Sequence, residues 1–535
     1  MKLNNVIIYL VLCIGFVACS KKPDPEPKPV EASRADKTRD SIYLYAKEVY
    51  LWNDAIPTYD VFKPRRFTYA ATDLLNFEQE LIALAQYKIN STTGLPYEYY
   101  SNGTDSKYSY IVDKADENPV AFAGSERSVV DLEGNGDDLG FRWGAYGNSA
   151  SNANSFDLMM TAIYQNSPAD KAGMKRSDKV LKINGVAVGA NFNVDRDLIN
   201  ESIGKNSILL EYVKYVNGAP SGNPIVVSLT KSSYKSSPIY ATKVITAGAK
   251  KVGYLAYARF STLSNSQPGF TEAFNTFNSS GVTDLIVDLR YNGGGYVNTA
   301  QYLINQIAPA SVTGKVMFSE HYNPLMQSNK ATILKNQPFL DASGKVIYEG
   351  TRMVNYFEDG DYSISGNTKN FFKAGPFNAN SSITNVVFIV SGNTASASEL
   401  VINSLKPYMN VKLLGVKTYG KPVGFFPVTI ENKYKVYYSM FQTKNSLGQG
   451  DYFDGMNPDQ VERFDDPYYD FGDVQENYLK KSLALLGATP SQGNTAIMSA
   501  RTQSSATIQQ IFPEKPLAGG NEFKGMIETV PKRRN

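Results

Sequence analysis

Cysteine stops at position 19. The chain has two, Cys13 and Cys19, and one histidine, His321, in 535 residues. No disulfide framework can hold such a body together, and a zinc site, which needs about three or four ligands that are commonly Cys or His, would have to be carboxylate-dominated. Folding therefore rests on apolar burial. Hydrophobic residues make up 42% of the chain and charged residues 20%, the balance of an ordinary globular protein with large cores. At roughly 150 residues per domain the length implies three or four domains. Lys+Arg 54 against Asp+Glu 51 leaves +3, too weak a field to argue for nucleic acid. A hydrolase of this composition would draw its general base from something other than histidine.

Lys2 precedes an apolar run from Val6 to Ala18, the charged start and short apolar centre of an export signal, below the ~20 residues a spanning helix needs. The run ends in Phe16-Val17-Ala18-Cys19, which resembles the lipobox of bacterial lipoproteins. That resemblance implies cleavage after residue 18, lipidation of Cys19 and attachment to a membrane of the bacterial cell envelope, on its periplasmic or surface face. Residues 19–35, rich in Lys and Pro, read as an extended tether.

Two helical faces, Ile42 to Trp52 and Leu74 to Leu84, mark residues 36–130 as a small helical N-terminal domain. Residues 131–138 read as a linker. Residues 139–232 change character: an alternating strand Phe156 to Tyr164, then Ser167-Pro168 opening a short helix that Gly173 stops, then a strand ending at the Asn184-Gly185 turn. This order resembles a PDZ domain in the permuted arrangement of bacterial proteases. The resemblance implies that Gly140, Phe141, Arg142, Trp143 and Gly144 form the loop that binds a peptide's terminal carboxylate.

Residues 233–488 alternate strands and helices. Asp284 to Leu289 and Asn385 to Val390 are apolar runs suited to strands buried on both faces, and residues 308–384 read as an insertion. A helix from Asp473 to Leu486 is expected, with Asp473 and Glu476 at capping-box spacing and Gly487 as its stop. Residues 489–535 read as a flexible tail.

The first run leads into Asn292-Gly293-Gly294-Gly295, whose glycines let a backbone approach a substrate and aim an N–H at a developing oxyanion. The second leads into Ser396-Ala397-Ser398-Glu399 at a helix start, where a nucleophile sits at the positive end of a helix. Alone, Ser396 reads equally well as a helix cap. Lys421, in Thr418-Tyr419-Gly420-Lys421, follows the apolar strand Val411 to Val416 and supplies the missing base. An amine of ordinary pKa ~10.4 becomes one once burial lowers it by about three units.

Together these motifs resemble the C-terminal processing peptidases, or tail-specific proteases, over residues 139–486. The resemblance implies an α/β multidomain chain with a ClpP/crotonase-like α/β core, and a serine endopeptidase with a Ser396/Lys421 dyad. It further implies an oxyanion hole of Ala397 and Gly294, with Gly293 or Gly295 as alternatives, and recognition of the C-termini of protein or peptide substrates. No cofactor and no metal are required, and oligomeric state is not legible. Phe425 stands where many members carry a glutamine that orients the lysine, which leaves a second reading: a PDZ-containing lipoprotein that binds peptides without turnover. Ser232-Ser233-Tyr234-Lys235 matches the Ser-x-x-Lys of penicillin-recognising enzymes, but it ends the PDZ-like segment and lacks the companion Ser-Asp-Asn.

Overall fold

The structure, a computed structural model, describes residues 32–100, 105–116, 130–149, 151–341, 343–372, 383–488, 525–528 and 530–534. The export signal, Cys19 and most of the expected tether lie outside the described residues. Among the described residues no helix is long and apolar enough to cross a membrane.

The centre is a six-stranded sheet in the order Ile239–Ala247, Lys250–Tyr257, Asp284–Asp288, Asn385–Val390, Asn410–Gly415, Gln460–Val461. Its first pair is antiparallel and the other four pairs are parallel. Side chains alternate across a strand, and here both faces are covered. Leu285, Val287, Val386, Phe388 and Leu413 enter one core with the helices Leu263–Ser279, Val297–Ile307 and Ala397–Leu405. Ile286, Val387, Ile389 and Leu414 enter the opposite core with Tyr478, Leu479 and Leu483 of the helix Asn477–Leu485. That helix starts later than the sequence predicts: Glu476, not Asp473, is the N-cap, accepting from the Leu479 N–H at 2.8 Å.

A β-rich unit precedes this core. Its sheet runs Phe141–Gly147, Phe156–Ile163, Lys179–Ile183, Ser207–Val216, Ala219–Thr230, and a separate cluster including Trp143, Leu158, Ile183 and Leu210 fills it. Asn135–Asp138 pairs with Ser232–Lys235 to form the stem of the unit. Ser232 and Lys235 are therefore stem residues, and the Ser-x-x-Lys match is structural. The residues read as a linker, 131–138, supply one half of that stem.

The N-terminal helices Arg34–Val49 and Asp73–Ala85 close no core of their own. Ile42, Val49, Phe77 and Leu81 belong to the same cluster as Leu285 and Phe388, and Tyr110–Asp113 pairs with Tyr434–Tyr437. The insertion is likewise integrated, its strand Val316–Tyr322 pairing with Phe441–Asn445. His321 lies on that strand, bonded to Ser319 Oγ at 2.8 Å. The expectation of a flexible tail is corrected over its last part: Gly525–Ile527 is a buried strand paired with Gly294–Tyr296.

The β-rich unit and the core are joined by buried charge. Arg290 bonds Asp288 at 2.6 Å, Asp465 at 2.7 Å and Glu476 at 2.9 Å, and Arg176 of the β-rich unit donates to the same Asp465 at 2.5 Å. The two guanidinium groups hold the Asp465 carboxyl well below its ordinary range despite burial. Removing the cation from such a cluster strands several carboxylates. Arg290→Met is expected to cost about 3–5 kcal/mol in urea unfolding, and a cost below ~1 kcal/mol would show that the cluster does not clamp the sheet.

Candidate active site

Three adjacent parallel strands carry the candidate residues. Asp288 is in register with Ile389, and Ile389 with Leu414, so the turns after Asp284–Asp288, Asn385–Val390 and Asn410–Gly415 emerge side by side at one carboxyl edge. In open α/β sheets that edge is where ligands bind. The turns are tied to each other: Thr394 Oγ1 donates to the Leu289 carbonyl at 2.8 Å, and the Ala395 N–H to the Asn292 carbonyl at 3.2 Å.

Ser396 adopts φ +59°, ψ −110°, a backbone state that a non-glycine residue rarely takes and that persists only where its surroundings impose it. The imposing group is Glu399. Its buried carboxylate accepts from the Ser396 N–H and the Lys421 N–H at 2.8 Å on one oxygen, and from the Gly420 N–H at 2.8 Å and Thr418 Oγ1 at 2.5 Å on the other. Ser396 and Lys421 thus hang from a single oxygen atom. Burial raises the Glu399 carboxyl above its ordinary range, against the lowering effect of these donors.

The Lys421 side chain is buried, and desolvation is the main cause that brings its amine from 10.5 down to about 7. The Glu98 and Glu399 carboxylates oppose that fall, and Lys107 assists it. Nζ donates to the Tyr108 carbonyl at 3.3 Å and stands 4.7 Å from the centroid of the Phe425 ring. Phe425 therefore stands as an apolar wall beside the amine. Thr418 spends its hydroxyl on Glu399 and on the Met456 N–H. Ser396 Oγ is buried and has no hydrogen-bond partner among the described residues, so the direct bond expected from Lys421 is not made in this arrangement.

The glycine turn approaches closely. A Cβ on Gly294 would stand 3.0 Å from both the Ala395 carbonyl oxygen and the Ala397 nitrogen, and φ is +106°, so only glycine fits without strain. The Ala397 N–H, first of its helix, carries no hydrogen bond among the described residues. The Gly294 N–H does, donating to Asn292 Oδ1 at 2.9 Å, an atom that also accepts from Ser398 Oγ at 3.0 Å. Of the expected pair Ala397 and Gly294, the Gly294 N–H is thus turned away, because the Asn292 side chain folds back onto its own turn.

Gly140, Phe141, Arg142, Trp143 and Gly144 open the first strand of the β-rich unit. The Gly140 N–H is engaged by Asp138 Oδ1 at 2.7 Å, so it is not open to a carboxylate. Arg142 leaves the unit and stacks its guanidinium 4.4 Å from the Tyr291 ring in the glycine turn. Sequence reading missed Glu98 and Tyr108, because they enter from a segment more than 300 residues away in sequence. Nothing local distinguishes them. Tyr108 also donates its hydroxyl to the Gly420 carbonyl at 2.6 Å, and Glu98 accepts from the Ser109 N–H at 2.7 Å and Ser439 Oγ at 2.8 Å.

Residues 251–461, which contain all three turns, match the model of Peptidase family S41. Over that segment the chain is similar to C-terminal processing peptidases. It is 26% identical over 275 residues to "C-terminal processing peptidase, chloroplastic" of Tetradesmus obliquus, covering 50% of this chain and 48% of that one. It is also 26% identical over 266 residues to "Carboxy-terminal processing protease CtpA" of Bacillus subtilis (strain 168), covering 50% and 44%. The aligned part spans about half the length of these curated relatives. A crystal structure of a Bacteroides fragilis NCTC 9343 protein assigned to the S41 proteases shares the fold, with a TM-score of 0.54 at 21% identity over 87% of this chain and 99% of that one.

The buried amine has a consequence for stability. Between the folded value of about 7 and an unfolded value of ~10.4, the unfolded chain binds more protons, so stability rises with pH across that window. Below it the penalty is fully present, about 5 kcal/mol. Lys421→Met removes the titration. Its stability advantage in urea unfolding is expected to shrink by most of that amount from about pH 7 to about pH 10, and a pH-independent difference would show that the amine is solvated.

Proposed function

We propose that this protein is a serine endopeptidase acting on protein or peptide substrates, with Ser396 as nucleophile and Lys421 as general base. The carrying observation is a buried amine, brought down to about 7 by burial, on a residue whose backbone N–H shares the Glu399 carboxylate with the N–H of a strained serine at a helix N-terminus. The amine turns from the Tyr108 carbonyl to Ser396 Oγ and takes its proton as Oγ attacks the peptide carbonyl. The oxyanion is held by the Ala397 N–H and by a glycine-turn N–H, Gly294 once Asn292 lets go of it. The protonated amine then passes its proton to the leaving nitrogen, and water releases the acyl group by the same relay. Only the neutral amine serves.

On this reading residues 139–232 act as a PDZ-like module. Phe141–Gly147 is the edge strand of its sheet, so an extended peptide could add alongside it, and Arg142 stacked on Tyr291 ties that strand to the glycine turn. The Cys19 lipid would anchor the protein to the cell envelope. The second reading, a catalytically degenerate peptide-binding lipoprotein, is motivated by Phe425 beside the amine and by the unpartnered Ser396 hydroxyl.

Intact mass after treatment with a fluorophosphonate distinguishes the two. Labelling is expected at Ser396, absent in Ser396→Ala, rising with pH through about 7, and slower by ~10²–10⁴-fold in Lys421→Ala. Peptide binding without labelling at any pH supports the second reading.

A further inference from the structure

Residues 525–528 lie where the proposed chemistry needs open space. Gly525–Ile527 runs parallel to Gly294–Tyr296, in register Gly294 with Gly525, Gly295 with Met526 and Tyr296 with Ile527. The Gly525 N–H donates to the Gly293 carbonyl at 3.0 Å. On its other side the same segment bonds the residue that walls the lysine: the Phe425 N–H donates to the Met526 carbonyl at 3.2 Å, and the Glu528 N–H to the Phe425 carbonyl at 2.9 Å. The segment therefore bridges the glycine turn and the Lys421 side of the site. Its contact with the catalytic turn is close. The point where a Gly294 Cβ would stand is 2.4 Å from the Gly525 carbonyl oxygen and 3.0 Å from the Ala397 nitrogen.

The mode of attachment is that of a recognised peptide. Main-chain hydrogen bonds on both sides hold an extended strand, and the apolar Met526 and Ile527 are buried. Farther on, the Asp361 N–H donates to the Lys532 carbonyl at 2.8 Å and the Arg534 N–H to the Asp359 carbonyl at 2.7 Å, so the insertion holds the segment's far end. The strand arrives with a built-in cost. Glu528 is brought against Glu320 of the strand Val316–Tyr322, and burial pushes both carboxyls up, with Lys369 as the cation facing them and Tyr322 packed beside them. Glu320 Oε1 has no hydrogen-bond partner among the described residues. A docked segment that buries two carboxyls is easier to displace than one that buries none.

We propose that the cleft between Gly293–Tyr296 and Phe425 is a subsite for an extended peptide strand with a small residue against Gly294 and apolar residues following it, and that residues 525–528 are its intramolecular occupant. The segment is then a competitor that incoming substrate must displace. The engaged Gly294 N–H and the unpartnered Ser396 hydroxyl fit a site held at rest. This inference rests on the peptidase reading for its effect on turnover, but not for the binding event itself.

The experiment uses the full chain with two point variants and a synthetic peptide of residues 523–534. Gly525→Pro removes the N–H that meets the Gly293 carbonyl, and Glu528→Gln removes the carboxyl pair. Binding of the fluorescent peptide is read by anisotropy, and turnover of an unrelated unstructured peptide by mass spectrometry. Gly525→Pro is expected to bind the added peptide about fivefold tighter than the parent, the scale of one backbone hydrogen bond lost by the competitor, and to turn substrate over with a lower KM. Glu528→Gln, with a better-seated segment, is expected to bind the added peptide more weakly and to raise KM. Ser396→Ala in the Gly525→Pro background should bind the peptide as tightly. The proposal is overturned if both variants bind the added peptide as the parent does, or if neither changes KM in a protein that does turn over. No turnover in any form, with the predicted order of peptide affinities intact, would remove the peptidase reading and leave the subsite standing. Circular dichroism of Gly525→Pro guards against misfolding, and should that variant unfold, the Glu528→Gln shift alone decides.

Discussion

One carboxylate organises this site. Glu399 is buried and accepts four hydrogen bonds, three of them from backbone N–H groups on two different turns. A buried carboxylate left short of donors is costly, so the turns carrying Ser396 and Lys421 are held to the positions that satisfy it. The strained Ser396 backbone follows from the same demand, since its N–H must point back at a side chain on the first turn of its own helix. The sheet supplies the coarse placement of the turns, and Glu399 supplies the register between them.

The basicity of Lys421 has a different origin. Lys107 adds to the fall, but the main cause is burial, with the Tyr108 and Phe425 rings beside the amine. Exclusion of water depends on Tyr108, which bonds the Gly420 carbonyl and belongs to the same core cluster as Leu285 and Phe388. Tyr108, which follows the N-terminal helices in the chain, is therefore part of what keeps the amine dry. The insertion and residues 525–528 attach to the same part of the core, the insertion through Phe441–Asn445 and the segment through Phe425 and the glycine turn.

Much of the core was legible because its signals are local. The runs Asp284–Asp288 and Asn385–Val390 are apolar at every interior position, as strands covered on both faces must be, and the turns that end them carry the glycines and the serine. The stop glycines Gly173 and Gly487 lie at φ +76° and +62°, where only a residue without a side chain sits easily. The start of the helix Asn477–Leu485 was misplaced because Asp473 and Glu476 both have cap chemistry, and only Glu476 is also drawn in by Arg290. The strand Gly525–Ile527 was unreadable, since three apolar or small residues in a Ser- and Gln-containing stretch carry no periodicity.

The sequence by itself determined the chemistry on offer. With one histidine, and with cysteine confined to the first nineteen positions, a serine beside a helix start, a lysine after a buried strand and a glycine run are what remain for covalent catalysis. It could not determine whether that lysine is dry, whether the Gly294 N–H is open or taken by Asn292, or what lies in the cleft. Those depend on groups hundreds of residues apart meeting in space, Tyr108 with Lys421 and Met526 with Phe425. Desolvation and strand pairing are properties of the packed assembly, and no spacing along the chain encodes them.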